Sequence, residues 1–340
     1  MRAALIGHGM VAETHVRAIT DSNIVSLAGV LGRDSNRAKA FLRDVAGDGI
    51  VYPGLSDLCS DEAVDFAIVT TPPNARMPTI GDLVHAGIPV LMEKPIERTL
   101  AAAEDIADLF DRSGVPAGVV FQHRARGSSQ ALKRAVSDGK LGKLVAAEIR
   151  VPWWRDQGYY NAPGRGTYAR DGGGVMINQA IHTLDLAIWL MGPVRSVTAS
   201  LITTELHEME GEDWAGCILE FEGGAVSTLT ATTSFFPGSA ESVRLQGTLA
   251  HALLEGGVLT ISYLDGRTEV IGKASDGTGG GANPMAFTHV WHQRVIEDFA
   301  ECLKVGRAPL CSVRDGLHAQ AVIDAMERSS KTRQTVGLAG

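Results

Sequence analysis

Two positions in this 340-residue chain carry side chains suited to moving a proton, and one short stretch is suited to holding phosphates. Lys94 follows the apolar run Val90-Leu91-Met92 and precedes Pro95, which stiffens the turn. A lysine at the carboxyl end of a buried strand, partly desolvated and next to a cationic ring, is expected to have a depressed pKa and to take a proton. The plainer alternative is a surface lysine paired with Glu93. His182 stands four residues after Asn178 and three before Asp185, spacings that put all three on one face of a helix. Imidazole titrates near ~6.5 and suits proton exchange at neutral pH, although a histidine in an apolar helix is also at home as a hydrogen-bonded core residue.

The phosphate-holding stretch is Gly7-His8-Gly9-Met10-Val11-Ala12, a G-x-G-x-x-A pattern. Its first glycine makes a tight turn, its second lets backbone approach a diphosphate, and the small Ala12 permits close helix packing. The helix that follows presents free amides and a partial positive charge. Gly7, His8, Gly9, Met10 and Val11 are therefore expected to bind a dinucleotide. Roughly 20 residues on, an NAD site has an acidic residue for the ribose hydroxyls. Here Gly32 stands in that place, followed by Arg33 and Asp34. Without the carboxylate, and with Arg33 available to a 2′-phosphate, NADP(H) is favoured and NAD(H) is possible. In the alternative, Arg33 is solvated and Asp34 serves the ribose.

Those groups need a scaffold, and the first 120 residues supply one by alternating short apolar strands with helices. Strands are expected at residues 3–6, 25–31, 66–70, 90–92 and 117–121, and helices at 10–20, 36–44, 79–86 and 100–111. Fully apolar strands in strict alternation with helices signal a parallel sheet covered on both faces. Beyond residue 121 the pattern changes. A helix at 129–138 and a strand at 144–151 precede an aromatic, irregular stretch to residue 170, then a helix at 175–191. Residues 194–271 read as successive strands with turns at Gly223-Gly224, Pro237-Gly238, Gly256-Gly257 and Asp265-Gly266, which suggests one large, mostly antiparallel sheet. Residues 275–283 read as a glycine-rich loop, and helices resume at 288–305 and 313–330. The fold class is thus α/β: a dinucleotide-binding domain over residues 1–121, then an α+β substrate and assembly domain over 122–340.

The bulk composition agrees. At 45% hydrophobic and 21% charged, the chain has the balance of a soluble globular protein. A net charge of −8 with no basic block argues against nucleic acid or an anionic membrane as partner. No run reaches the ~18 apolar residues a membrane span requires. Four scattered cysteines without a C-x-x-C pair, and an opening that runs straight into a glycine turn, fit reduced thiols in the cytoplasm.

Thr71-Pro72-Pro73-Asn74 ends the third strand and Glu93-Lys94-Pro95 the fourth. With the glycine pattern, with Gly172-Gly173-Gly174, Asn178, His182 and Asp185, and with Asp298-Phe299 and Arg307-Ala308-Pro309, the chain resembles the Gfo/Idh/MocA family of oxidoreductases. The resemblance covers almost the whole chain. It implies a Rossmann domain, a second domain whose open sheet forms homodimers or homotetramers, and hydride transfer between NAD(P) and a sugar, cyclitol or related polyol. Thr71, Pro72, Asn74, Glu93, Lys94 and Gln122 then join the cofactor-binding set. His182 is expected to be the general base for alcohol oxidation, with Lys94 fixing the hydroxyl and sharing the proton, although the roles could be reversed. Three residues depart from the family pattern: Asn178 replaces a common aspartate, Arg76 a frequent histidine, and Gly32 a frequent acid. The first removes an aspartate–histidine dyad and leaves Asn178 to bond substrate hydroxyls. The second leaves substrate charge open, and the third cofactor choice.

Trp153, Trp154, Tyr159 and Tyr160, followed by Arg165 and Thr167, offer aromatic faces for a sugar ring and donors for hydroxyls or an acidic group; a core or subunit-interface role is the alternative for the tryptophans. Gln122, His123 and Arg124 follow the last strand of the first domain and, with Asp185, are read as substrate-side residues. His289 and His292 are further pocket candidates. No metal-binding constellation is readable in the spacing. Two other functions remain to be weighed: reduction of another carbonyl or a dihydrodiol, and a non-catalytic NAD(P)-binding sensor.

Overall fold

The computed structural model describes residues 1–47, 49–273 and 287–338; the glycine-rich stretch at 275–283 lies outside the described residues. By contacts the chain forms two units, Met1–Ala125 with Thr288–Leu317, and Arg126–Phe287 with His318–Gly340.

The first unit is built around a five-stranded parallel sheet. In chain order it contains β1 (Arg2–Ile6), α1 (Ala12–Thr20), β2 (Ser26–Leu31), α2 (Ser35–Ala46), α3 (Leu55–Cys59), β3 (Phe66–Val69), α4 (Arg76–His85), β4 (Val90–Glu93), α5 (Leu100–Ser113) and β5 (Ala117–Val120). The sheet order is β2-β1-β3-β4-β5. Residues 66–69 and 90–93 are buried without a break, as expected of strands covered on both faces. The core joins Leu5, Val16, Phe66, Ile68, Leu91 and Val120 to Ile296 and Phe299 of a later helix, Val290–Val305. Its apolar face packs here, with the Phe66 and Phe299 rings edge to face at 5.4 Å. That packing draws residues 288–317 into the first unit, a return of the chain that the expected single boundary after residue 121 does not contain.

The second unit contains α6 (Gly127–Ser137), β6 (Leu144–Pro152), α7 (Gln157–Tyr160), α8 (Ile181–Met191) and the strands β7 (Val194–Ile202), β8 (Trp214–Phe221), β9 (Val226–Thr232), β10 (Ser242–Gly247), β11 (Ala250–Glu255), β12 (Val258–Tyr263), β13 (Thr268–Ile271) and β14 (Val336–Gly337). They form one nine-stranded sheet in the order β13-β12-β11-β10-β6-β9-β8-β7-β14. Among the described residues of this sheet, only β6 and β9 pair in parallel. Burial alternates along β9, the period of a strand with one covered face. Leu132, Leu186 and Leu190 of α6 and α8 pack on Leu245, Leu254 and Ile261 of the sheet, while Ile218 and Val226 are exposed. The four turns expected between strands fall between elements.

The helix expected at 175–191 is present, with a change of winding near its start. Met176–Ala180 form a π-helical turn, and α8 continues from Ile181. Among the described residues, no helix is long and apolar enough to cross a membrane.

Candidate functional site

The glycine turn leaves no room for a side chain at its first residue. Gly7 has φ +103°, and a Cβ there would lie 2.8 Å from Thr70 Oγ1 and 3.2 Å from the Thr71 nitrogen, so only glycine fits. Its amide donates to the Leu31 carbonyl at 2.8 Å, and the Thr70 hydroxyl donates at 3.1 Å to the Ile6 and Gly7 carbonyls. Around Gly9 a Cβ would meet no atom within 4 Å. Val11, at the start of α1, contributes no side-chain cap, leaving first-turn amides available to an anion. Met10 is exposed. These residues fit a dinucleotide, with His8 packed where the turn meets β2: a Cβ on Gly32 would come within 2.4 Å of His8 Nδ1. Arg33 is exposed. Asp34 caps α2, its carboxylate accepting from the Asn36 and Arg37 amides at 3.0 and 3.1 Å.

Lys94, half-buried, sits at the carboxyl end of β4, the edge where parallel sheets bind ligands. The Lys94–Pro95 peptide is cis. Glu93 does not pair with a surface lysine as its main contact. Its Oε1 lies 2.8 Å from His15 Nε2 and 3.8 Å from His292 Nε2, all three side chains being buried. Burial would raise the Glu93 carboxyl, but the His15 hydrogen bond, with charge from His15, His292 and Lys94, brings it down to about 2. Burial, and then His15, push His292 down to about 3 despite Glu93, so it is neutral at neutral pH. The expected pocket residue His292 is thus a core residue of the first unit, and His289 bonds Asp21 at 2.7 Å. Ligand-capable atoms of His15, Glu93 and His292 all lie within 4.8 Å of one another, a grouping unreadable in sequence because its members come from α1, β4 and the Val290–Val305 helix.

Arg76 does not read substrate charge. It is 2% exposed, and its guanidinium donates to the carbonyls of Thr71 (3.0 Å), Glu93, Pro95 and Ile96. The guanidinium binds the turn after β3 to the turn after β4. Pro72 and Asn74 are exposed on the first of these turns. Beyond β5, Gln122 and His123 are buried, and the buried Arg124 is engaged with the Leu310 carbonyl at 3.1 Å and Asp315 at 3.6 Å.

In the second unit, His182 and Asp185 share a face of α8 and are buried, at 6% and 0% exposure. Asn178 lies in the π turn Met176–Ala180 that leads directly into α8. Its Nδ2 donates to the carbonyls of Gly173 (2.8 Å) and Gly174 (3.0 Å), so it caps the lead-in to its own turn. Glu212, which sequence reading missed, clamps the same turn. Its carboxylate accepts from the Gly174 and Met176 amides at 3.1 and 2.9 Å, and its carbonyl accepts from the Val175 amide at 2.7 Å. Burial pushes the Glu212 carboxyl up to about 7 against the pull of those amides. π turns concentrate at functional sites.

The aromatic stretch divides. Trp153 is buried, with its indole donating to Glu241 at 3.3 Å, and the Tyr160 hydroxyl lies 2.5 Å from Thr233 Oγ1. These are core anchors. Trp154 and Tyr159 are half-buried. The Arg155 guanidinium, missed in the sequence, lies 5.4 Å from the Trp153 ring and 5.6 Å from that of Tyr159, and Arg165 lies 5.0 Å from Tyr159. Arg165 also meets Asp171 at 3.4 Å, and Thr167 donates to the Gly164 carbonyl at 2.8 Å. Of the expected substrate residues, the fold brings Arg165, Thr167, Tyr159 and the π turn into one neighbourhood through Gln179, which donates to the Tyr159 hydroxyl at 3.3 Å. Both ring nitrogens of the buried His207 are engaged, with Asp213 at 2.8 Å and the Arg155 carbonyl at 2.9 Å.

Known proteins share both units. Residues 1–121 match the oxidoreductase family, NAD-binding Rossmann fold, and residues 129–252 match the GFO/IDH/MocA C-terminal domain. The chain is 28% identical to D-apiose dehydrogenase of Paraburkholderia graminis over 99% of its own length and 89% of the relative's. It is 24% identical to myo-inositol 2-dehydrogenase of Thermotoga maritima, covering 99% and 98%. The WlbA dehydrogenase of Bordetella pertussis, solved with NADH and UDP-GlcNAcA, superposes with a TM-score of 0.82 at 25% identity, covering 100% of this chain and 99% of that one. Agreement with the family along both units, with the Gly7 turn after β1 and Lys94 after β4 in the first, makes this chain an oxidoreductase of the Gfo/Idh/MocA family.

Proposed function

We propose that this oxidoreductase moves a hydride between a nicotinamide and a secondary alcohol or ketone of a sugar, cyclitol or sugar derivative. The observation that carries the reading is the immobilised Glu93-Lys94-Pro95 turn, in the sheet whose first crossover opens on the Gly7 turn. The dinucleotide, when bound, supplies the hydride acceptor or donor. Gly7, Gly9 and the uncapped start of α1 would hold its phosphates. Oxidising a carbinol also releases a hydroxyl proton, and Lys94 and His182 are the residues proposed to accept it, with Lys94 also orienting the hydroxyl. Tyr159, Arg165 and Thr167 are proposed to bind the substrate's ring and hydroxyls. The substrate class draws support from relatives named for D-apiose and myo-inositol and from a neighbour solved with UDP-GlcNAcA.

NADP(H) as the preferred dinucleotide belongs to the same proposal. No carboxylate stands at Gly32, Arg33 is exposed, and the Asp34 carboxylate is committed to the α2 amides, which weakens the alternative in which it serves the ribose. A homodimer or homotetramer joined through the sheet is proposed too, on the exposed Ile218 and Val226. Cytoplasmic residence is proposed for a chain whose four cysteines are free thiols. The test is a panel of sugars, cyclitols and diols mixed with NADP+ or NAD+ while reduced nicotinamide is followed by absorbance. Turnover of a polyol is expected. Tight dinucleotide binding with no turnover across the panel, in either direction, would favour a sensor instead.

A further inference from the structure

Arg76 begins α4 yet keeps its guanidinium buried. Burial pushes its pKa down to about 10 while Glu93 and Glu97 pull it back up, so it remains a cation at neutral pH. Three carbonyls within residues 93–96 turn toward its Nη1, and Nε takes a fourth from Thr71. Backbone carbonyls buried together need a donor. A planar guanidinium can serve several at once, whereas a lysine ammonium offers a compact point charge and an imidazole at most two donors. The Glu93 side chain is fixed separately, by His15 at 2.8 Å. Lys94 is therefore flanked on one side by a residue held through both backbone and carboxylate, and on the other by Pro95, whose carbonyl is held by the same guanidinium.

We propose that Arg76, with His15 as a second anchor, is a positioning residue that fixes the backbone of Lys94 for proton transfer. The proposal rests on the reading of Lys94 as a proton-transferring group. It makes Arg76 this chain's own solution to holding the turn.

The test compares wild type, Lys94→Ala, Arg76→Lys and His15→Gln with the polyol identified by the panel. Each protein is measured for melting temperature, NADP+ Kd by fluorescence titration, kcat, KM and the pH profile of kcat. Displacing a reacting group by about 1 Å can cost about 100-fold, so Arg76→Lys is expected to lower kcat about 10- to 100-fold and to shift the limb of the pH profile that Lys94→Ala abolishes. Polyol KM and NADP+ Kd should stay within about threefold of wild type, the signature of an effect confined to the chemical step. Unchanged kcat and pH limb in Arg76→Lys, with Lys94→Ala inactive, would overturn the positioning role and leave the Lys94 reading standing. An active Lys94→Ala would instead remove the reading beneath it, and the proposal with it. Should Arg76→Lys not fold, His15→Gln decides: a lowered kcat with a shifted limb supports the role, and wild-type kinetics overturn it.

Discussion

Nε2 of His15 lies 2.8 Å from Oε1 of Glu93, joining the first helix to the end of the fourth strand across 78 residues of sequence. That contact ties the helix after the Gly7 turn to the turn that carries Lys94, within a single unit of the fold. It also makes a buried carboxylate one of the fold's acid-sensitive elements.

The folded-state value of about 2 for Glu93 lies below the ~4.3 of an unfolded glutamate. A depressed carboxyl stabilises the fold above the unfolded value and loses that contribution as pH falls toward the folded one. The window here runs from about pH 4.3 down to 2. Glu93→Gln should therefore flatten the acid limb of stability and, by about 1.4 kcal/mol per pKa unit, cost about 3 kcal/mol at pH 7. Urea unfolding at pH 7 and pH 3.5 measures both; an unaltered acid slope would contradict the assignment.

Glu212 has the opposite sign. Its carboxyl is raised to about 7, so its neutral form suits the fold. Its contribution is complete below about pH 4.3 and lost as pH rises through about 7. Glu212→Gln gives up one acceptor and should lower the melting temperature overall. The wild-type decline between pH 5 and pH 8 should nonetheless shrink in the variant. An identical decline in both proteins would show that Glu212 does not govern it.

Gly174 leaves no room for a side chain. A Cβ there would lie 1.8 Å from the Glu212 carbonyl oxygen, and backbone cannot swing aside as a side-chain tip can. Gly174→Ala should destabilise the protein by about 3 kcal/mol, read as a shift of the urea midpoint. A variant within experimental error of wild type would contradict the close packing at the head of the π turn.

Dinucleotide choice should turn on Arg33. Losing one phosphate-pairing side chain is worth about 1.4 kcal/mol or more, so Arg33→Ala should weaken NADP+ at least about tenfold and leave NAD+ nearly unchanged. Fluorescence titration with both coenzymes checks this, and a parallel loss for both would defeat the NADP(H) preference.

The parallel sheet and the strand run were legible because each rests on local periodicity: unbroken apolar strands between helices, then alternating ones between glycine turns. The Gly7 turn was legible for the same reason, since neighbouring residues define it. What escaped was set by distance in sequence. His15, Glu93 and His292 meet only once the Val290–Val305 helix packs beside α1, and Arg76 shows its purpose only when two strand-end turns converge on it. The clamp on the Met176–Ala180 turn escaped because Glu212 lies 36 residues from the Met176 amide it accepts from. Asn178, His182 and Asp185 do lie on one continuous helical run, but the π winding at Asn178 carries no signal in the spacing.

The most direct test is a single-turnover measurement of reduced-nicotinamide formation in Lys94→Ala, alongside its dinucleotide Kd. A proton-transferring group is worth about 100- to 10,000-fold, so the hydride-transfer rate should fall by that factor with the Kd unchanged. A variant that binds the coenzyme normally and transfers hydride within about tenfold of wild type would contradict the assignment of Lys94 to the chemistry.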